Sequence, residues 1–108
     1  MVKLIAKRFT LPQRRMSETF DLRHGGKNTV FSVTLGRYPG GEVGEVFISG
    51  AKVGSEVEAV ARDGAVLLSL ALQYGVPLET IKHAITRESD GSATTIVGAV
   101  VDRLMKEK

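Results

Sequence analysis

The chain has 108 residues, 43% hydrophobic and 25% charged, the length and balance of one globular domain whose core can stand without staples. It has no cysteine, which excludes a disulfide framework, cysteine-ligated zinc or iron–sulfur centres and any thiol nucleophile or thiyl radical, and its two histidines leave little for metal chemistry. The formal charge of +3 is unevenly placed: residues 1–17 hold Lys3, Lys7, Arg8, Arg14 and Arg15 with no acid, so the remaining ten bases and twelve acids leave the body at −2.

In chain order, residues 1–15 form a basic arm, and residues 16–108 are expected to be a single domain. The arm's Leu4-Ile5-Ala6 is cut off by Lys7-Arg8, too short for the apolar stretch of a secretory signal. Met16 to Arg23, with Met16, Phe20 and Leu22 on one face, reads as a half-buried strand. His24-Gly25-Gly26-Lys27-Asn28 supplies a turn. A second strand, Thr29 to Tyr38, sets Phe31, Val33 and Leu35 against Val30, Ser32 and Thr34. Pro39-Gly40-Gly41 turns the chain again, and Glu45-Val46-Phe47-Ile48 makes a third strand. These three form an antiparallel meander, with the arm left open as a fourth strand.

At Gly54 the period changes. Val57, Val60, Ala61, Gly64, Leu67, Leu68 and Ala71 follow helical spacing and predict one continuous apolar face. Ser55 with Glu58 three residues later is a capping box, and Gly75 and Pro77 end the helix. Gly64 within that face predicts close approach of another element. A second helix is expected from Pro77 to near Arg87 with Leu78, Ile81 and Ile85 inward, then a loop at Ser89-Asp90-Gly91-Ser92. A third carries Val97, Val100, Val101 and Leu104, flanked by Ile96 and Met105. The expected class is α+β, a meander followed by three helices packed on one sheet face. The other face, with Val30 and Phe47, is open to covering by a homodimer. The longest apolar stretch, Ala65 to Leu72, is interrupted by Ser69 and falls far short of the roughly 18 residues a membrane span needs, so a cytoplasmic protein is expected.

The run Leu68-Ser69-Leu70-Ala71-Leu72-Gln73-Tyr74-Gly75-Val76-Pro77-Leu78-Glu79 resembles the C-terminal region of adenosylcobalamin-dependent (class II) ribonucleotide reductases. Leu11-Pro12-Gln13-Arg14-Arg15, Phe20 with Gly25-Gly26, Val33-Thr34-Leu35-Gly36, Gly44-Glu45-Val46-Phe47-Ile48 and Ala51-Lys52-Val53-Gly54-Ser55 follow the same order. The resemblance covers roughly residues 8–91 and identifies the TSCPD domain, which that family carries near its C-terminus and which also occurs as small free-standing proteins. The chain is similar to the free-standing kind. It departs from the family in two places. The cysteine-bearing sequence that gives the domain its name has as its nearest counterpart Ser92-Ala93-Thr94-Thr95, with neither cysteine nor proline. Where the full-length reductases follow His-Thr-Arg with Phe-Glu-Pro, this chain reads Ala84-Ile85-Thr86-Arg87-Glu88-Ser89-Asp90-Gly91.

The resemblance implies membership of the ribonucleoside-diphosphate reductase family and a connection with DNA synthesis. That reaction needs a barrel domain with a cysteine radical, a reducing cysteine pair and a corrinoid site, so a cysteine-free chain is not expected to be an enzyme by itself. Adenosylcobalamin is implied only through a related full-length reductase, and a reductase subunit is the implied partner.

Among local features, Gly50-Ala51-Lys52-Val53-Gly54-Ser55 leads into a helix N-terminus, and Lys52, Gly54 and Ser55 are the candidate phosphate site. The lysine precedes the second glycine, so this is no P-loop, and a capped helix entered through a glycine turn is the simpler reading. Gly25-Gly26 and Gly40-Gly41 with Gly44 lie between strands and read as hairpin turns. His24, His83, Glu56, Glu58 and Asp63 read as surface side chains, and no catalytic residue or metal ligand is assigned. Lys3, Lys7, Arg8, Arg14 and Arg15 are the candidate polyanion contact of an alternative, a small nucleic-acid or nucleotide-phosphate-binding protein, although Phe9 is the only aromatic beside them. A solvated arm leading into the first strand is the simpler reading. A non-catalytic accessory or assembly module is the leading expectation for function.

Overall fold

A computed structural model describes residues 6–25, 29–50 and 54–107. Three strands, β1 (Ser17–His24), β2 (Thr29–Arg37) and β3 (Val43–Gly50), form an antiparallel sheet in the order β1-β2-β3. Alternation along β2 is strict. Phe31, Val33 and Leu35 are buried, whereas Val30, Ser32 and Thr34 face the open side. Val46 and Ile48 of β3 join the buried set, and Phe20 and Leu22 of β1 pack against it half-buried. Residues 6–15 contribute no strand, so the sheet of the described residues has three strands and the arm does not extend it.

Three helices follow, α1 (Glu56–Gln73), α2 (Leu78–Ala84) and α3 (Ile96–Lys106). Ile96, Val100, Val101 and Leu104 of α3 are core residues; Ile96, expected as a flank of the stripe, lies inside it. α2 lends Leu78 and Ile81, and Ile85 follows at its end. α1 and α3 lie against the face that carries Phe31, Val33 and Leu35, and α2 packs on α3 at the border of the same core. The opposite face is open, with Phe47 55% and Val30 40% exposed among hydroxyl side chains, and Thr19 and Thr34 are joined across the strands at 2.8 Å.

The expected apolar face of α1 is divided by the structure. Ala61, Ala65 and Leu68 are buried against the sheet, while Val57, Val60 and Leu67 are more than half exposed. The rotation is set by polar anchors. The Ser69 hydroxyl accepts from Val46 N–H at 2.8 Å and has Ala65 C=O at 2.8 Å and Val46 C=O at 3.1 Å as acceptors for its one proton, and the Gln73 amide donates to Gly44 C=O at 2.9 Å. These bonds seal backbone groups on the edge of β3 that would otherwise have no strand partner. They turn the Val57–Leu67 side of the helix outward. Gly64 meets α3, where a Cβ would collide with Val97, and this is the close approach its position predicts. Replacing Ser69 by alanine leaves the buried N–H of Val46 unbonded. We expect a loss of about 1–3 kcal/mol in denaturant unfolding, with the helix content of the folded state retained by circular dichroism.

The segment between α2 and α3 is clamped by Arg87, whose guanidinium donates to both Asp102 oxygens at 2.9 and 2.6 Å. That hydrogen-bonded pair, helped by the charges of Arg87, Lys82 and Lys106 and opposed by partial burial, holds the Asp102 carboxyl below its usual range. A carboxyl depressed in the folded state adds stability that is complete above its unfolded value, about 3.9, and is lost as pH falls through the lower folded value. Urea unfolding from pH 7 to pH 2 should therefore show an acid limb that is shallower in Asp102→Asn. An identical limb in the variant would remove Asp102 from the acid response.

Candidate functional site

The β1–β2 hairpin, the entry to α1 and the N-terminus of α3 meet at one end of the sheet. Between them lies a groove of about 520 Å³ walled by Phe31, Val57, Val60, Ile96 and Val97, with His24 at its rim. Both helix ends at this groove are capped. The Ser55 hydroxyl accepts from Glu58 N–H at 3.2 Å, and the Glu58 carboxylate accepts from Gly54 N–H at 3.2 Å. The Thr95 hydroxyl accepts from Gly98 N–H at 3.0 Å. Glu58, read from sequence as a surface carboxylate, is buried because it closes this cap. Of the candidate phosphate residues, Gly54 and Ser55 therefore stand in a cap with two of its N–H groups satisfied internally and with Glu56 and Glu58 in the first turn. Lys52 lies outside the described residues.

The basic arm is fastened to the body. Phe9 N–H donates to Gln73 C=O at 2.9 Å, and the Tyr38 hydroxyl donates to Phe9 C=O. Arg8 Nε donates to the Gln73 side-chain oxygen at 2.7 Å, and Arg15 Nε to Glu45 at 2.6 Å. Arg15 also donates to Pro12 C=O at 2.8 Å. Lys7 and Arg14 are exposed, and Lys3 lies outside the described residues. The structure thus ties Arg8 and Arg15 to one side of the molecule, along α1 and β3.

The histidines are far apart in role. A ring nitrogen of His24 lies 3.0 Å from Thr94 C=O, and His83 is exposed, 3.6 Å from Glu79 one helical turn away. Among the described residues no group of three or more histidine, aspartate or glutamate side chains converges on a metal-sized site, and no helix is long and apolar enough to cross a membrane. The groove's walls are mostly hydrocarbon, with Glu56 and three threonines among its lining, an arrangement suited to receiving an apolar side chain.

Sequence reasoning missed Ser69 and Gln73, which organise the edge of β3 and the arm. Both lie in the run from Leu68 to Glu79, where two polar residues on either side of the apolar stripe were the available signal.

Residues 5–108 match the family described as the TSCPD domain. The chain is 41% identical over 75 residues to the vitamin B12-dependent ribonucleotide reductase of Rhodopirellula baltica, which covers 69% of this chain and 7% of that protein. The enzyme of the same description from Agrobacterium fabrum is 38% identical, covering 74% of this chain and 6% of its own length. That from Streptomyces coelicolor is 37% identical, with 70% and 8% covered. The chain therefore spans less than a tenth of these curated relatives. No solved structure gives a significant match.

Proposed function

Because the chain belongs to the TSCPD domain family, we propose that it is a cytoplasmic accessory or assembly module of ribonucleotide reductase that acts by protein contact and performs no reduction alone. The observation that carries this reading is the pairing of a match over most of this chain with a sliver of each vitamin B12-dependent reductase. The absence of cysteine from the chain adds to it, since the reduction chemistry of the resembled family runs on thiols. The groove between α1 and α3 supports protein contact over anion binding: its walls are mostly apolar, and the cap at Gly54 and Ser55 already uses its own carboxylate. Any adenosylcobalamin involved would belong to the reductase partner.

The test is a titration of immobilised chain with a purified vitamin B12-dependent reductase. Saturable binding is expected, weakened at least about tenfold by Val60→Glu, a loss of about 1.4 kcal/mol, while the variant's melting temperature stays unchanged because Val60 is 60% exposed. Absence of saturable binding would end this reading.

The alternative, a nucleic-acid or nucleotide-phosphate binder, rests on the five bases of the arm. It requires DNA affinity that falls with salt by a logarithmic slope of about 0.9 per phosphate contacted and that disappears on removal of residues 1–15. We expect that truncation to lower thermal stability instead, because it removes the bonds from Phe9 and Arg8 to Gln73 and from Arg15 to Glu45.

A further inference from the structure

The two edges of the sheet are treated differently. The edge of β3 is sealed by Ser69 and Gln73, and the register between β2 and β3 is broken between Gly36 and Arg37. β1 has none of these devices. It pairs with β2 through eight residues without a register shift, contains no proline or glycine, and is exposed at Ser17, Glu18, Thr19, Asp21 and Arg23. The outward direction of Val46's backbone groups, toward Ser69, and the bond from Arg37 N–H to Met16 C=O fix the alternation across the sheet. Ser17, Thr19, Asp21 and Arg23 consequently turn their N–H and C=O groups away from β2. Among the described residues no backbone hydrogen bond reaches them. An edge with a row of free N–H and C=O groups is a template for another strand.

The charges on that edge say which strand. Asp21 and Arg23 lie on the same open face, two positions apart, and neither has an ion-pair partner among the described residues. In an antiparallel pair of identical strands with Leu22 on the two-fold axis, Asp21 of each copy stands directly opposite Arg23 of the other, giving two cross-strand ion pairs. Moving the axis to Asp21 sets two aspartates together, and moving it to Arg23 sets two arginines together. An axis at Phe20 leaves both charges opposite hydroxyls. Only the Leu22-centred register satisfies all four charges, and it lays the half-buried Leu22 against its own copy. We propose that β1 is a self-complementary edge through which two copies of this chain join their sheets into one of six strands.

The pairing spans Phe20 to His24, a small interface, so the dimer should be weak and salt-sensitive, with a Kd of roughly micromolar order. Sedimentation equilibrium of the full chain over a wide concentration range reads it directly. The wild type should dimerise, and Asp21→Arg should raise Kd at least about tenfold by placing arginine against Arg23. The double variant Asp21→Arg/Arg23→Asp should recover dimerisation, since the opposed signs are restored in exchanged places. Both side chains are exposed, so the variants' unfolding curves serve as folding controls. The chain has no cysteine, which allows a register test: Leu22→Cys should form an intermolecular disulfide on mild oxidation, because this pair sits at the close, non-hydrogen-bonded spacing of about 4.5 Å. Thr19→Cys should not. A wild type monomeric throughout, a double variant as weak as the single one, or equal crosslinking at positions 19 and 22 would each overturn the proposal. A monomer whose β1 variants lose reductase binding would overturn it too, assigning the edge to a partner's strand.

Discussion

Replacing Leu35 by alanine is expected to lower the unfolding free energy by about 3 kcal/mol, within the usual range of about 2–5 kcal/mol for such truncations in a core. Leu35 is fully buried in the central strand, flanked by Glu18 and Val46, and belongs to the cluster that includes Val33, Val100, Val101 and Leu104. Removing its branched end leaves a void that β2 cannot close, because the strand is held in register on both sides. The melting temperature should fall by about 12–24 °C, since each kcal/mol is worth about 4–8 °C in a domain near this size. Ser32, three positions away on the open face, is the control, and its alanine variant should stay within about 0.5 kcal/mol. Equal losses for the two would contradict the assignment of the buried face.

Gly50→Ala is expected to cost about 2–4 kcal/mol, combining backbone strain with overpacking. Gly50 has φ of +124°, a conformation that L side chains rarely adopt. An added Cβ would stand 2.8 Å from Val30 C=O and 2.9 Å from the Cα of Phe31. Both atoms belong to β2, whose pairing with β1 and β3 prevents a cheap retreat. Gly54 separates the two causes. Its φ is +80°, yet among the described residues nothing lies within 4 Å of a Cβ built there. Gly54→Ala should therefore show the conformational part alone, about 1–2 kcal/mol. If the two alanine variants melt together, the approach of β2 to Gly50 contributes nothing.

The strands were legible because their information is local. Alternation of Phe31, Val33 and Leu35 with Ser32 and Thr34 leaves one face to bury, and a slip of one residue would invert it. The caps were local too, with Ser55 and Glu58 three residues apart. The face of α1 was not legible. Helical spacing is satisfied by two neighbouring stripes, Ala61-Ala65-Leu68 and Val60-Gly64-Leu67, and periodicity does not choose between them. The choice is made by Ser69 and Gln73 bonding to Val46 and Gly44, partners 23 and 29 residues away in sequence. The arm is the same case. Arg8 and Arg15 read as free charge because their partners, Gln73 and Glu45, are 65 and 30 residues distant. Gly64 lay between the two extremes: close approach followed from a glycine in an apolar stripe, but Val97 as the approaching side chain did not.

These polar fasteners bear on function. They use Arg8, Arg15, Ser69 and Gln73 to build one side of the molecule, and they leave the Val57–Val60 wall of the groove and the edge of β1 facing outward. Both outward features are suited to contact with protein surfaces.

The central claim, a reductase-family module that works only through a reductase, is tested most directly by measuring deoxyribonucleotide formation in three mixtures. Each contains ribonucleotide, adenosylcobalamin and a dithiol, with this chain alone, a vitamin B12-dependent reductase alone, or both. The account predicts no product from the chain alone and a change in the reductase's kcat or KM that saturates as the chain is added. Product from the chain alone, or a reductase rate indifferent to any concentration of the chain, would contradict it.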